Sequence, residues 1–212
     1  MLTIHTADLV LFGDGRPSLP GGAVLVEGRR IAAVEAYEDL AAAHPTARVR
    51  RWPGVLTPGL VNPYGPELLE QCYHPDPRED LGSEPLTGAA LSGLDMTDAR
   101  WGASARRGVQ RMLAHGVVAV AGDLLRPAVA DAVYRVGMTS EERFEDRPGP
   151  PVFDPLVGRS LAEAILMPLL PRRGVDATFA VFDVPDEGAL TKSGARACVA
   201  TVIKGRLLHR RR

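Results

Sequence analysis

Four side chains in the middle of the sequence are of types that could do chemistry. Tyr64, Glu67 and His74 follow the run TPGLVN, and Asp123 follows the apolar run Val117–Ala121. The carboxylates and the imidazole could bind a ligand or act as general acid and base if the fold brought them together. Structural roles are the alternatives. The Tyr64 ring could pack over the mouth of a sheet, and Asp123 could cap the turn or helix that follows it.

Nucleophilic and phosphate-binding chemistry have little support in the sequence. It contains no G-x-S-x-G elbow, and Gly13–Gly15 is a turn with no helix opening after it. Cys72 has a histidine two positions away, but a cysteine–histidine pair is made in space and not by adjacency. Because Cys198 lies far along the chain, the two cysteines predict neither a zinc site nor a disulfide framework.

The overall composition is that of a globular protein without a strong electrostatic preference. Hydrophobic residues make up 45% of the sequence, charged residues make up 24%, and the formal net charge is −1. We therefore expect neither a nucleic-acid partner nor a membrane partner. The first residues lack the pattern of a signal peptide, and no apolar run is long enough to cross a bilayer, so we expect a cytoplasmic protein. The local arginine clusters are expected to be solvated faces, with an anion-binding patch as the alternative.

Both ends of the sequence predict short strands. In the first 56 residues, β-forming runs alternate with turn sequences: Leu2–Phe12, Ala23–Val26, Ile31–Val34 and Arg48–Trp52. The last residues return to this pattern: Thr178–Val184, Ala197–Ile203 and Arg206–His209. We expect residues 1–56 and 174–212 to form one sheet domain together. Inserting a long segment between them costs little, because loop-closure entropy grows only logarithmically with length.

The middle segment, residues 57–173, predicts alternating helices and strands. A helix begins at Thr97, carries an apolar stripe of helical period from Trp101 to Leu113, and ends at Gly116. Three further elements are predicted here, a buried strand and two helices: Val117–Ala121, Pro127–Val136 and Ser160–Leu170, the last one stopped by Pro171.

Several segments, taken in order, resemble the amidohydrolase superfamily, nearest its imidazolonepropionase and aminodeoxyfutalosine deaminase branch. These segments are ADLVLFGDG, GGAVLVEGRRIAAV, VLTPGLVN, RRGVQRMLAHGVVAV, DATFAVFDVP and ACVATVIKGRLLHR. The resemblance implies a composite β-sandwich built from both termini, with a (β/α) barrel inserted between them. About 115 residues separate Pro58 from Arg173, whereas eight βα units take ~200–250 residues. We therefore expect a truncated barrel remnant.

The resemblance also implies zinc or another divalent metal, held in part by a His-x-His pair at the end of the first barrel strand. In this sequence the matching positions are Tyr64 and Pro66. Proline has no donor atom, and a tyrosine phenol is a rare zinc ligand. None of the five histidines follows a predicted barrel strand directly, and both lysines, Lys192 and Lys204, lie beyond the middle segment. We therefore expect no metal and no other cofactor.

These features favour a degenerate amidohydrolase-like protein, a pseudoenzyme that acts as a scaffold, a regulatory subunit or a small-molecule binder. The unpaired edges of an open barrel must be covered, so we expect a homo-oligomer or a hetero-oligomer with a related full-length protein. The alternative is a hydrolase of non-peptide carbon–nitrogen bonds, with an atypical site around Glu67, His74 and Asp123 and with metal supplied at an interface.

Overall fold

The computed structural model describes residues 1–143, 149–170 and 175–211. Within them the chain forms a mixed α/β fold with three sheets. The strands, in chain order, are β1 (Leu2–Thr6), β2 (Leu9–Val10), β3 (Leu19–Pro20), β4 (Gly22–Glu27), β5 (Arg30–Ala36), β6 (Arg48–Arg51), β7 (Val55–Pro58), β8 (Leu60–Asn62), β9 (Val117–Ala121), β10 (Thr139–Glu141), β11 (Phe179–Phe182), β12 (Cys198–Ile203) and β13 (Arg206–Arg210). The helices are α1 (Tyr37–Ala43), α2 (Gly65–Leu69), α3 (Gly88–Ser92), α4 (Asp98–Leu113), α5 (Pro127–Val136), α6 (Leu161–Ala164) and α7 (Glu187–Ser193).

The largest sheet contains strands from both ends of the chain. Its six strands have the order β13-β12-β11-β7-β2-β3. β11 pairs antiparallel with β7, so that Phe179 lies opposite Pro58. The finer description as a composite β-sandwich stays a prediction, as do its boundaries. The boundary between residues 173 and 174 lies outside the described residues.

A four-stranded sheet, in the order β5-β4-β1-β6, packs against the six-stranded sheet. The buried apolar side chains between them come from both sheets: Val24, Val26, Ile31, Leu56, Phe179, Val181 and Val202. On the outer face, Leu40 of α1 packs with Ile4 and Leu25. Each fully buried aliphatic side chain contributes about 1.5–3 kcal/mol of transfer free energy. Apolar burial on both faces therefore fixes the position of the four-stranded sheet.

A third sheet carries the candidate site. Its strands have the order β10-β9-β8, and both pairings are parallel. The strands are connected through α4 and α5, which pack against the sheet through one core: Trp101, Val109, Leu113, Val118, Val120, Val129 and Val133. The predictions of α4, β9 and α5 are confirmed. The Thr97 side chain accepts the N–H of Arg100 at the start of α4. The described residues form an open sheet here and no closed barrel.

The predicted helix over residues 160–170 is too long. α6 is a single turn with a capping box formed by Ser160 and Glu163. The chain then leaves the helix because it extends beside β8, where Ile165 bridges Leu60 and the Leu166 N–H donates to the Gly59 carbonyl at 2.9 Å. The predicted stop at residue 171 lies outside the described residues. Across the described ranges, no helix has the length and apolar character needed to cross a membrane.

Candidate functional site

The carboxyl ends of the three parallel strands lie at one edge of their sheet, which is where α/β proteins commonly place functional groups. Asn62, the last residue of β8, is fully buried there. Its Oδ1 accepts the backbone N–H of Tyr64 at 2.9 Å, and its Nδ2 donates to the carbonyls of Val152 and Phe153 at 3.0 Å each. Asn62 thus holds the segment around Phe153 over the end of β8.

Tyr64 lines a cleft beside this strand end. The cleft has a volume of about 340 Å³, and its walls include Pro63, Val152, Pro155 and Arg159. Arg159 is held by carbonyls of the strand and loop, since its Nη1 donates to Val61 O at 2.9 Å and to Pro155 O at 3.2 Å. The cleft therefore combines apolar walls with one fixed guanidinium and the acidic residue Asp154.

Glu67 lies in the first turn of α2 and forms an ion pair with Arg143, just beyond β10. Arg143 Nη1 lies 2.6 Å from Glu67 Oε1 and also donates to Pro63 O at 3.2 Å. Both side chains are about four-fifths buried, with exposures of 21% for Glu67 and 23% for Arg143. The second oxygen, Glu67 Oε2, is buried and has no hydrogen-bond partner among the described residues. A guanidinium thus neutralises the carboxylate at this end of the sheet.

His74 is buried at the interface between α2 and α4. Its Nε2 lies 2.7 Å from Leu68 O, so the neutral ring carries its proton on Nε2 and donates to that carbonyl. Its backbone N–H donates to Ser104 Oγ at 2.8 Å. Burial lowers the pKa of His74, the hydrogen bond to Leu68 opposes this effect, and Arg111 and Arg107 lower the pKa further. This imidazole is therefore neutral near pH 7, with its Nε2 bound to the Leu68 carbonyl and its Nδ1 buried without a hydrogen-bond partner among the described residues.

Asp123 is exposed in the turn after β9. The hydrogen bonds at the start of α5 come from Glu70 instead, whose carboxylate accepts the N–H groups of Leu125 at 3.2 Å and Arg126 at 2.6 Å. For α5, the interpretation of Asp123 as a cap is therefore wrong, and Glu70 takes this role. Among the described residues, no hydrogen bond or ion pair joins Asp123 to Tyr64, Glu67 or His74.

The side chains at the strand end do not fit the divalent metal that the family resemblance implies. A zinc site needs three or four nitrogen, sulfur or carboxylate ligands close together. The described parts of the chain contain no group of three or more His, Cys, Asp or Glu side chains that could hold a metal ion. At the positions of the implied pair, Tyr64 precedes α2 and Pro66 lies in its first turn, while Glu67 is bound to Arg143.

Two residues that shape this site were not singled out from the sequence. Asn62 stands at the end of the run TPGLVN, where a polar residue after a buried strand is a weak signal. Arg143 lies in a charged, turn-rich stretch that gives no signal at all. Its partner, Glu67, comes from 76 positions earlier in the chain, so only the parallel pairing of the strands brings them together.

Comparisons with known proteins agree with part of this picture. Residues 22–47 match the family model for the imidazolonepropionase-like composite domain of bacteria. This match confirms the resemblance for β4, β5 and α1. No curated protein matches the sequence.

Solved structures similar to this chain include three hydrolases or deaminases. Ochratoxinase from A. niger has a TM-score of 0.45 and 25% identity, covering 66% of this chain and 31% of that one. Aminofutalosine deaminase from Helicobacter pylori has a TM-score of 0.43 and 14% identity, with coverage of 74% and 37%. An adenosine deaminase from Xanthomonas campestris with bound zinc has a TM-score of 0.44 and 17% identity, with coverage of 65% and 32%. The chain spans about a third of the length of these proteins.

Proposed function

We propose that this chain is a non-catalytic, amidohydrolase-like protein that binds a small molecule in the Tyr64 cleft. The observation that carries the proposal is the Glu67–Arg143 ion pair at the carboxyl end of the parallel strands. In the enzymes that the sequence resembles, this end of the sheet presents histidines to a metal ion. Here a guanidinium bound to a carboxylate occupies the strand end, and Pro66 offers no ligand atom.

Within the described ranges, no hydrogen bond or ion pair joins His74 and Asp123 into an alternative catalytic group. A general base must lie within hydrogen-bond reach of the proton that it removes. His74 donates its Nε2–H to the Leu68 carbonyl, and Asp123 is exposed beyond β9. The rival function, hydrolysis of non-peptide carbon–nitrogen bonds around Glu67, His74 and Asp123, would need these groups to converge on one substrate.

The shape and lining of the cleft indicate the class of ligand. A volume of about 340 Å³ lies at the low end of the ~300–1,000 Å³ typical of small-molecule sites. Proline and valine walls together with the Tyr64 ring favour a flat ring, and the Arg159 and Asp154 side chains that also line the cleft favour polar groups on that ring. A small polar heterocycle satisfies both requirements.

The test is calorimetric titration with imidazole-4-propionate and a panel of other small polar heterocycles. We expect binding in the micromolar to millimolar range, and we expect Tyr64→Ala to weaken it about tenfold, which corresponds to ~1.4 kcal/mol. Tyr134→Ala, at an exposed position of α5, is the matched control and should change nothing. Failure of the whole panel to bind would contradict the proposed ligand class. Turnover of a cyclic amide after addition of Zn²⁺ or Mn²⁺ would favour the rival hydrolase.

A further inference from the structure

β10 is an edge strand whose outer side is open. It pairs with β9 on one side only, and the Glu141 carbonyl accepts the N–H of Gly122 on that side at 3.0 Å. Alternate residues of a parallel strand present their backbone groups to opposite neighbours, so Ser140 presents its N–H and C=O outward. Among the described residues, no strand or isolated bridge pairs with this side. Such an edge is a template for a further strand.

Opposite charges lie toward the two ends of this strand. Glu141 is its last residue, and its Oε1 accepts the Thr139 hydroxyl at 2.5 Å. Lys204 lies near the other end of the strand, beside Gly137, which precedes the first residue of β10 by two positions. A Cβ added to Gly137 would be 3.5 Å from Lys204 Cδ and 3.9 Å from its Nζ. Within the described ranges Lys204 has no ion-pair partner. Both side chains line one groove of about 360 Å³ beside β10, together with Leu166, the half-exposed Met167 and Asp176, whose carboxylate is paired with Arg29.

We propose that β10 pairs antiparallel with β10 of a second copy of this chain about a two-fold axis. Centred on Ser140, this pairing exchanges two backbone hydrogen bonds and places Thr139 opposite Glu141 of the partner subunit. Two residues of strand span about 6.6 Å, so Lys204 then reaches the partner's Glu141. The axis repeats this contact, giving two Lys–Glu pairs.

The charges favour antiparallel pairing, about a two-fold axis perpendicular to the strands, over parallel pairing about an axis that runs along them. Parallel, in-register addition would place Lys204 beside Lys204 of the partner subunit, and Glu141 beside the partner's Glu141. A two-fold axis perpendicular to the strands reverses the strand direction and therefore matches unlike charges at both ends, which makes the surface self-complementary. The paired strand is only three residues long, so we expect a small interface and a dimer that forms in the micromolar range.

The test is light scattering on the full chain and on two charge-reversed variants, from about 1 to 500 µM protein. We expect wild type to dimerise, and we expect Glu141→Lys and Lys204→Glu each to be monomeric, because each homodimer would then contain two like-charge contacts. An equimolar mixture of the two variants should dimerise again, since both contacts become Lys–Glu pairs in the mixed dimer. This restoration also shows that both variants are folded.

Two further variants control for the change in net charge. Glu187→Lys and Lys192→Glu change exposed residues of α7, which lies outside β10 and the groove, and both should dimerise as wild type does. The proposal is overturned if wild type stays monomeric over the whole range. It is also overturned if the single variants dimerise like wild type, or if their mixture stays monomeric.

Discussion

His5 lies between the two larger sheets, where the Trp52 Nε1–H donates to its Nδ1 at 3.2 Å and Phe179 contacts its ring edge to face. Burial lowers the pKa of His5 to about 3, and Arg50 and Arg48 contribute to this shift. In the unfolded chain the imidazole takes up a proton near its ordinary pKa of 6.5. Below that pH the unfolded state therefore binds more protons than the folded state. The free energy of unfolding decreases as the pH is lowered.

For His5, the loss of stability between about pH 7.5 and pH 5 should amount to ~2 kcal/mol, since one pKa unit corresponds to ~1.36 kcal/mol. Urea denaturation of wild type and His5→Gln at both pH values measures this effect. Other histidines, such as His74 and His209, also have lowered pKa values and remain in both proteins. We therefore expect wild type to lose about 2 kcal/mol more than the variant. Equal losses would show that His5 accepts a proton in the folded state.

At the scale of single residues, the sequence indicated which side chains could matter but not which contacts they make. Tyr64 was found because it follows a recognisable strand junction, and it does line a cleft. Local turn chemistry predicts that Asp123 is a cap, whereas Glu70 binds the start of α5 from 55 positions away in the sequence. The Glu67–Arg143 pair depends on the register of β8, β9 and β10, which local patterns do not encode.

Secondary-structure elements with a broad buried face were predictable, and those with one buried residue were not. α4 buries a long stripe, including Trp101, Val109 and Leu113, so its hydrophobic period identifies it. α1 buries only Leu40 and α7 buries only Leu190. One buried residue gives no hydrophobic periodicity from which a helix could be predicted. β10 was missed for a similar reason, because its residues Thr139–Glu141 are polar and only partly buried.

The junction that leads into β7 depends on one glycine. Gly54 has a φ of +69°, and an added Cβ would lie 2.3 Å from Phe182 O and 2.7 Å from the Val184 backbone nitrogen. These are backbone atoms of β11 and the residues after it, so they cannot move without disturbing the pairing of β7 with β11.

We therefore expect Gly54→Ala to lower the free energy of unfolding by about 3 kcal/mol, combining backbone strain with the steric contact. Gly15 is the matched control, because its φ is +81° and an added Cβ would meet nothing within 4 Å. Gly15→Ala should cost about 1 kcal/mol. Urea-induced unfolding followed by tryptophan fluorescence measures both changes, and equal costs would mean that close approach of the strands is unimportant here.

At the scale of the whole molecule, the pairing of β7 with β11 joins segments that lie about 120 positions apart. Residue patterns at the two ends show only that both form strands, and the resemblance to composite domains supplied the idea that they share a sheet. The family match covers residues 22–47 only, so the parallel sheet and its strand ends rest on the fold itself. The proposed role of the chain as a metal-free binding protein rests on that region.

Metal content tests this role most directly. Protein purified without chelator, incubated with excess Zn²⁺ or Mn²⁺ and then dialysed, should retain less than about 0.1 equivalent of metal per chain, because the strand end lacks a ligand set. Glu67→Gln should give the same value, because Glu67 is committed to Arg143. Retention of about one equivalent by wild type, lost in Glu67→Gln or in His74→Ala, would contradict the account and place a metal centre at the parallel strands.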